Sequence, residues 1–240
     1  MKKYDTLQFQ KDLNALCIQL SDKQIEQFLI YYEMLSERNK VMNLTSISEY
    51  EEVLKKHFVD SISLVKACEL SAGTSLIDVG TGAGFPGLAL KIAFPELKVT
   101  LLDSLNKRVL FLDDVIRKLG LKNVNTVHGR AEDLAKSGKL REKYDLCVSR
   151  AVANLSTLSE YCLPFVKVGG MFIAYKSEKV FEELLTSERS ISLLGGKLDR
   201  QIEFTLPYSD VYRNLVVIRK KVKTSDRFPR RTGIPSREPL

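Results

Sequence analysis

The sequence predicts an α/β fold, with a mostly parallel sheet that carries helices on both faces and a helical segment at the N-terminus. Strand-like and helical runs alternate through the middle of the chain, a pattern typical of βαβ units. A glycine-rich turn joins the first of these strands to a helix, and two extended runs close the pattern. With 240 residues, 44% of them hydrophobic, the chain can bury a substantial core without disulfides or metals.

The first part of the chain, residues 1–70, is predicted to be a helical segment packed on the core. In its central helix, apolar residues recur at helical spacing behind Ser21 and Gln24, which are placed as a capping box. A turn-like NLTS stretch separates this helix from the next one. The predicted helices cover residues 7–20, 22–39 and 49–67.

The core is predicted to span residues 71–222 and to contain seven strands. The last two extended runs, 197–206 and 214–221, are joined by the short segment PYSDVYR, so they must pair as antiparallel neighbours. A helix over residues 178–194 is predicted to precede them. The five earlier strands begin at Ser75, Lys98, Val124, Asp145 and Met171.

The turn after the first strand reads LIDVGTGAGFPGLAL, residues 76–90. We expect its glycines to leave backbone N–H groups and a helix N-terminus bare toward a ligand at the carboxyl edge of the sheet. Gly82, Gly84 and Gly87 satisfy the dinucleotide fingerprint, and Asp103 follows near the end of the second strand. A nicotinamide-dependent oxidoreductase is therefore one hypothesis.

Two features favour S-adenosylmethionine over a dinucleotide. Asp78 ends the first strand, where a carboxylate would repel a pyrophosphate but not the ammonium group of a methionine moiety. Five parallel strands closed by an antiparallel pair resemble the class I (Rossmann-like) methyltransferase fold, which is an argument by fold analogy. In that fold Asp103 would accept hydrogen bonds from both ribose hydroxyls. The alternative for Asp103 is to cap the next helix, although Ser104 is available for that.

The net charge of +7 is concentrated at the C-terminus. Residues 219–240 hold eight basic and two acidic residues, which leaves the rest of the chain close to neutral. We interpret residues 223–240 as a basic tail that binds a polyanion, most often nucleic acid, and we expect the body to fold without it. The alternative is a solvated tail without a ligand.

Targeting and redox features predict a cytoplasmic protein. The N-terminus carries no apolar signal-peptide core, and no uncharged apolar run reaches the roughly eighteen residues of a membrane span. The four cysteines are far apart and form no C-x-x-C pair, so we expect reduced thiols. With only His57 and His128 present, no histidine metal cluster is expected.

Seven short motifs occur in order along nearly the whole chain: NLTS (43–46), HFVDS (57–61), DVGTGAGFPG (78–87), DSLNKR (103–108), GRAED (129–133), SRAVA (149–153) and PRRTGIPS (229–236). This set resembles the bacterial small-subunit (16S) ribosomal RNA guanine N-7 methyltransferase family, RsmG, also called GidB. The resemblance implies methyl transfer from S-adenosyl-L-methionine to a guanine of 16S ribosomal RNA, either free or in the small ribosomal subunit. No membrane association is expected, and no obligate protein partner is inferred.

Seven residues are predicted to bind the cofactor. Gly80 and Gly82 belong to the glycine loop, and Phe85 offers an apolar wall beside it, with a plain core contact as the alternative for Phe85. After the third strand, a backbone N–H can donate to the adenine ring, and the carboxylate of Glu132 can accept from the exocyclic amine of adenine. Alternatively, Glu132 stabilises a helix N-terminus. The full set is Gly80, Gly82, Phe85, Asp103, Ala131, Glu132 and Arg150.

Arg150, at the end of the fourth strand, is predicted to hold the methionine carboxylate or to orient the guanine or a phosphate. We nominate no general base, because N7 of guanine carries a lone pair that needs no deprotonation and orientation supplies most of the catalysis. His57 and Asp60 stand at i, i+3 helical spacing, which favours a structural hydrogen bond over catalysis. A noncatalytic RNA-binding module remains an alternative. The predicted RNA-binding residues are Arg227, Arg230, Arg231 and Arg237.

Overall fold

A computed structural model describes residues 4–136, 138–150, 153–177 and 180–240. Its strands are β1 (Ser75–Val79), β2 (Lys98–Asp103), β3 (Val124–His128), β4 (Tyr144–Arg150), β5 (Val166–Lys176), β6 (Gly196–Thr205) and β7 (Tyr212–Lys220). They form one sheet in the order β3-β2-β1-β4-β5-β7-β6. β1 to β5 run parallel, and β7 is antiparallel to both β5 and β6, which confirms the predicted sheet.

Helices cover both faces of the sheet. Helices α5 (Gly87–Ala93) and α6 (Asn106–Leu119) share one core with the N-terminal helices, α1 (Leu7–Ala15), α2 (Asp22–Met42), α3 (Tyr50–Val53) and α4 (Asp60–Ile62). The other core contains α7 (Ala131–Lys136), α8 (Leu155–Cys162) and α9 (Val180–Leu193), and a short α10 (Ile234–Arg237) follows β7. The predicted first residues of α9, 178 and 179, lie outside the described residues. No helix in the described ranges is long and apolar enough to cross a membrane.

The predicted N-terminal helices are present, with differences in extent and geometry; α2 ends at Met42 and not at residue 39. The capping box of α2 forms as expected, since Ser21 Oγ accepts the Gln24 N–H and the Gln24 side chain accepts the Ser21 N–H. The first helix is shorter than predicted, because Cys17 takes a left-handed conformation after Ala15. The third helical stretch changes geometry along its length, from α3 through a π-helical turn (Leu54–Val59) and α4 to a 3₁₀ turn (Ser63–Lys66). Such π-helical turns are frequent at functional sites.

The C-terminal residues pack on α8, although the sequence predicts a separate tail. Glu160 of α8, fully buried, accepts hydrogen bonds from the backbone and the guanidinium group of Arg230. Thr157 Oγ1 donates to the Pro235 carbonyl at 2.9 Å, and Arg141 donates to the Phe228 carbonyl at 2.9 Å. The division at residues 70 and 222 stays a prediction, and these contacts favour one packed unit over a body with a loose arm.

Replacing Gly84 with alanine is expected to destabilise the fold by about 3 kcal/mol, because the backbone is left-handed there (φ +107°) and the new Cβ would overlap buried atoms. Leu112 Cδ2 lies 2.9 Å from that Cβ position, and the Tyr31 hydroxyl lies closer still. Gly82→Ala is the matched control, since a Cβ there meets nothing within 4 Å and only its φ of +60° costs stability, about 1 kcal/mol. Urea denaturation measures both, and equal losses would contradict the packing argument.

Candidate active site

A cavity of about 710 Å³ lies at the carboxyl edge of the parallel strands. The position is the one where ligands bind in open α/β sheets, since strand order reverses between β1 and β4. Its lining brings together five of the seven predicted cofactor residues, Gly80, Gly82, Phe85, Asp103 and Arg150. The sequence thus predicts most of one wall of this cavity.

Most N–H groups of the glycine loop are not bare, contrary to expectation. The Gly82 N–H donates to Asp103 Oδ2 at 2.9 Å, and the Gly80 and Thr81 N–H groups donate to the Leu102 carbonyl. The glycines are needed for their backbone conformation instead, since Gly80 and Gly82 have φ of +74° and +60°. The open space beside Gly82 is where a ligand can approach the backbone.

Asp78 occupies the N-terminus of α5, beneath the loop. Its Oδ2 accepts the Gly87 N–H at 2.8 Å and the Thr81 hydroxyl at 2.7 Å, while its Oδ1 has no hydrogen-bond partner in the described part of the chain. Burial raises the pKa of this carboxyl to about 6. Asp78 is fully buried and absent from the cavity lining, so it does not face the ammonium group of a ligand as the sequence predicted. Through the Gly87 N–H it occupies the helix N-terminus, where a pyrophosphate would otherwise bind.

Asp103 is held rigidly at the end of β2. Its Oδ1 accepts the Leu105 N–H and its Oδ2 the Gly82 N–H, each at 2.9 Å, and Arg108 lies 3.4 Å away. Each carboxylate oxygen has about two acceptor sites, so Oδ1 keeps capacity for a ligand hydroxyl, whereas Oδ2 already accepts from both Gly82 and Arg108. Asp103 does not cap α6, whose N-cap residue is Leu105; it accepts the Leu105 N–H in the turn before the helix.

On the other wall, a buried carboxylate holds two arginines. Asp60 is 2% exposed and accepts Arg150 Nη1 at 2.8 Å and Arg213 Nε at 2.9 Å. The predicted hydrogen bond between His57 and Asp60 is replaced by a contact of each with Arg150. Arg213 reaches the cavity from the start of β7, and no sequence pattern pointed to it.

His57 lies flat against Phe85 at the base of this wall. The two rings stack with centroids 4.5 Å apart and planes 14° apart, and the Arg150 guanidinium lies 5.2 Å from the Phe85 centroid. Burial and the charge of Arg150 lower the pKa of His57 to about 3, so the ring is neutral. The π-helical turn of the third helical stretch carries His57.

Ala131 and Glu132 do not lie on the cavity lining. Both are buried in the first turn of α7, and Glu132 Oε1 accepts the Gly233 N–H at 3.0 Å. Gly129, two residues before α7, donates its N–H to the Asp103 carbonyl at 3.1 Å. The role of Ala131 and Glu132 at an adenine ring stays a prediction.

The four C-terminal arginines separate into two groups. Arg230 is directed inward to Glu160, whereas the other three side chains are exposed. Among these, Arg237 Nε donates to the Gly233 carbonyl at 3.3 Å. RNA binding stays a prediction for all four, and the contacts favour it for Arg227, Arg231 and Arg237.

The fold and the cavity together define a Rossmann-like class I methyltransferase. The chain is similar in structure to the YcgJ protein from Bacillus subtilis, with a TM-score of 0.54 and 14% identity over 69% of this chain and 100% of that one. It is also similar to M. jannaschii TYW2 in complex with AdoMet, with a TM-score of 0.53 and 16% identity over 72% and 77% of the chains.

The sequence comparisons are more specific. The family model of GidB, rRNA small subunit methyltransferase G, matches residues 24–209. The chain is 52% identical to the ribosomal RNA small subunit methyltransferase G of Lachnoclostridium phytofermentans over 98% of both chains, and 50% identical to that of Clostridium beijerinckii over the full length of both. The chain belongs to this family, which confirms the resemblance drawn from the motifs.

Proposed function

We propose that this protein transfers the methyl group of S-adenosyl-L-methionine to N7 of a guanine in 16S ribosomal RNA. The observation that carries the proposal is that the glycine loop, Asp103 and Arg150 line the same cavity. In addition, Asp78 occupies the N-terminus of α5. Family membership supports a ribosomal RNA substrate.

The residues of the cavity fit S-adenosyl-L-methionine. The spare acceptor site on Asp103 Oδ1 suits a ribose hydroxyl, and the open space at Gly82 lets a ligand lie against the backbone. Arg150 suits the methionine carboxylate, because a guanidinium group can bind a carboxylate through two parallel hydrogen bonds. When bound, the cofactor supplies an electrophilic methyl group on a sulfonium centre.

The protein's own contribution is orientation and charge compensation. No proton has to leave N7 of guanine, so no residue acts as a general base, and alignment of the base with the methyl group lowers the barrier. The reaction leaves positive charge on the guanine. Asp60 keeps the neighbouring arginines paired and His57 stays neutral, which limits repulsion of that charge.

The two alternatives fit less well. A dinucleotide would need free loop N–H groups and a vacant helix N-terminus. The N–H groups of Gly80, Thr81 and Gly82 instead bind Leu102 and Asp103, and Asp78 occupies the helix end. A noncatalytic RNA-binding module would not need the ordered polar walls of a 710 Å³ cavity.

The proposal is tested by incubating the protein with S-adenosyl-L-methionine labelled in the methyl group and with 16S ribosomal RNA, either free or in small subunits. We expect label in RNA at a position that chemical cleavage specific for 7-methylguanine detects. Label at another atom would exclude the N7 assignment. Binding of NADH in place of the methyl donor would favour the oxidoreductase hypothesis.

Asp103→Ala is expected to weaken S-adenosyl-L-methionine binding by about 1 to 3 kcal/mol, the range for hydrogen bonds to a charged group. Calorimetry measures the affinity. Asp114→Ala is the control, since Asp114 pairs with Arg38 at the surface, away from the cavity lining. Unchanged affinity in a folded Asp103 variant would remove this residue from the site.

A further inference from the structure

Thr45 lies on the lining of the cavity, and its hydroxyl group has no role in the proposed mechanism so far. The residue belongs to the loop between α2 and α3, where it is partly exposed. Two nitrogen atoms approach its Oγ1: the backbone nitrogen of Ile47 at 3.0 Å and Nε2 of His57 at 2.8 Å. The direction of these hydrogen bonds decides what Thr45 can offer a ligand.

Arg150 fixes the direction at His57. A guanidinium group only donates hydrogen bonds, and Arg150 Nη2 lies 3.3 Å from His57 Nδ1, so Nδ1 accepts. In a neutral imidazole whose Nδ1 accepts, the proton is on Nε2. The His57 ring therefore donates from Nε2 to Thr45 Oγ1.

The hydroxyl of Thr45 is consequently a donor toward the cavity. A hydroxyl oxygen has two lone pairs and one proton, and the N–H groups of Ile47 and His57 occupy both lone pairs. For the remaining proton, the described residues provide no acceptor. A chain of hydrogen bonds from Arg150 through His57 thus ends in an O–H group that needs an acceptor on a ligand.

We propose that Thr45 determines the choice of target base by donating this hydrogen bond to O6 of guanine. The inference deepens the proposed function and rests on it. O6 and N7 are neighbouring acceptors on the same edge of guanine, so a donor at O6 also fixes the direction of N7. Adenine carries an amine at the position of O6. The Thr45 hydroxyl and this amine are both hydrogen-bond donors, so neither would be satisfied.

The test measures nucleotide binding by calorimetry with S-adenosylhomocysteine present. Because the readout is binding, the result tests the role of Thr45 even if no methyl transfer to ribosomal RNA is detected. GMP and IMP carry the O6 acceptor, whereas AMP carries an amine. We expect the unaltered protein to bind GMP and IMP about tenfold more tightly than AMP, the factor for one hydrogen bond of about 1.4 kcal/mol. Equal affinities for the three nucleotides would overturn the proposal.

Three variants isolate the hydroxyl group. Thr45→Val is expected to abolish the preference for GMP and IMP, whereas Thr45→Ser, which keeps the hydroxyl, retains it. Ser46→Ala is the matched control, because Ser46 is exposed in the same loop and absent from the cavity lining. A Thr45→Val protein with an unchanged preference would overturn the proposal. So would a weakened affinity for S-adenosyl-L-methionine with the preference intact, since the hydroxyl would then serve the methionine carboxylate.

The chain of hydrogen bonds from Arg150 through His57 to Thr45, called the relay below, is tested by separate measurements. Long-range proton–nitrogen NMR of the two histidines, with His128→Gln to assign them, is expected to place the proton of His57 on Nε2. His57→Phe keeps the ring stacked on Phe85 but removes both nitrogens, so we expect the nucleotide preference to fall although Thr45 is intact. A proton on Nδ1, or a full preference in His57→Phe, would overturn the relay.

Discussion

Arg150→Lys is expected to lower the rate of methyl transfer about 30- to 150-fold while the charge is kept. The guanidinium group reaches Asp60, His57 Nδ1 and the Lys56 carbonyl at once, and an ammonium group cannot reproduce this fork. The upper part of the range for losing a hydrogen bond to a charged group, about 2 to 3 kcal/mol, corresponds to that factor. Single-turnover transfer to 16S ribosomal RNA at saturating cofactor measures it.

Arg38→Lys provides the control for this substitution. Arg38 also pairs with an aspartate at 3.0 Å, but this ion pair with Asp114 lies at the surface, away from the cavity lining. We expect full activity and an unchanged melting temperature in that variant. A fully active Arg150→Lys protein would reduce Arg150 to a generic positive charge.

Local patterns were sufficient to predict the fold and one wall of the site. The strands are short apolar runs bounded by turns, and the glycine loop lies between β1 and α5. Residues that are close in sequence are therefore enough to predict these elements. Asp103 could be found because the ends of neighbouring parallel strands meet at one edge of a sheet.

The second wall depends on contacts between residues far apart in sequence. Asp60 and Arg213 are 153 positions apart, and neither the spacing of charges nor helical periodicity links them. The π-helical turn that carries His57 has no sequence signature that distinguishes it from an ordinary helix. The count of basic residues likewise could not reveal that Glu160 is buried opposite Arg230.

Arg230→Met is expected to destabilise the protein by about 3 kcal/mol, because it leaves the carboxylate of Glu160 buried without its ion-pair partner. Nε and Nη2 of Arg230 lie 2.7 to 3.1 Å from the two carboxylate oxygens, and methionine keeps the apolar stem without the charge. The backbone N–H of residue 230 still donates to Glu160, which limits the loss. Chemical denaturation measures the stability.

Arg231→Met is the matched control, because the neighbouring side chain is exposed and carries the same charge. We expect its stability to be unchanged. If its guanidinium group meets a phosphate of a single-stranded RNA segment, the slope of log affinity against log salt should become shallower by about 0.7. Arg230→Met, measured where it is still folded, should keep the slope of the unaltered protein. A shallower slope in Arg230→Met with unchanged stability would mean that Arg230 leaves Glu160 to bind RNA, as the charge pattern alone predicted.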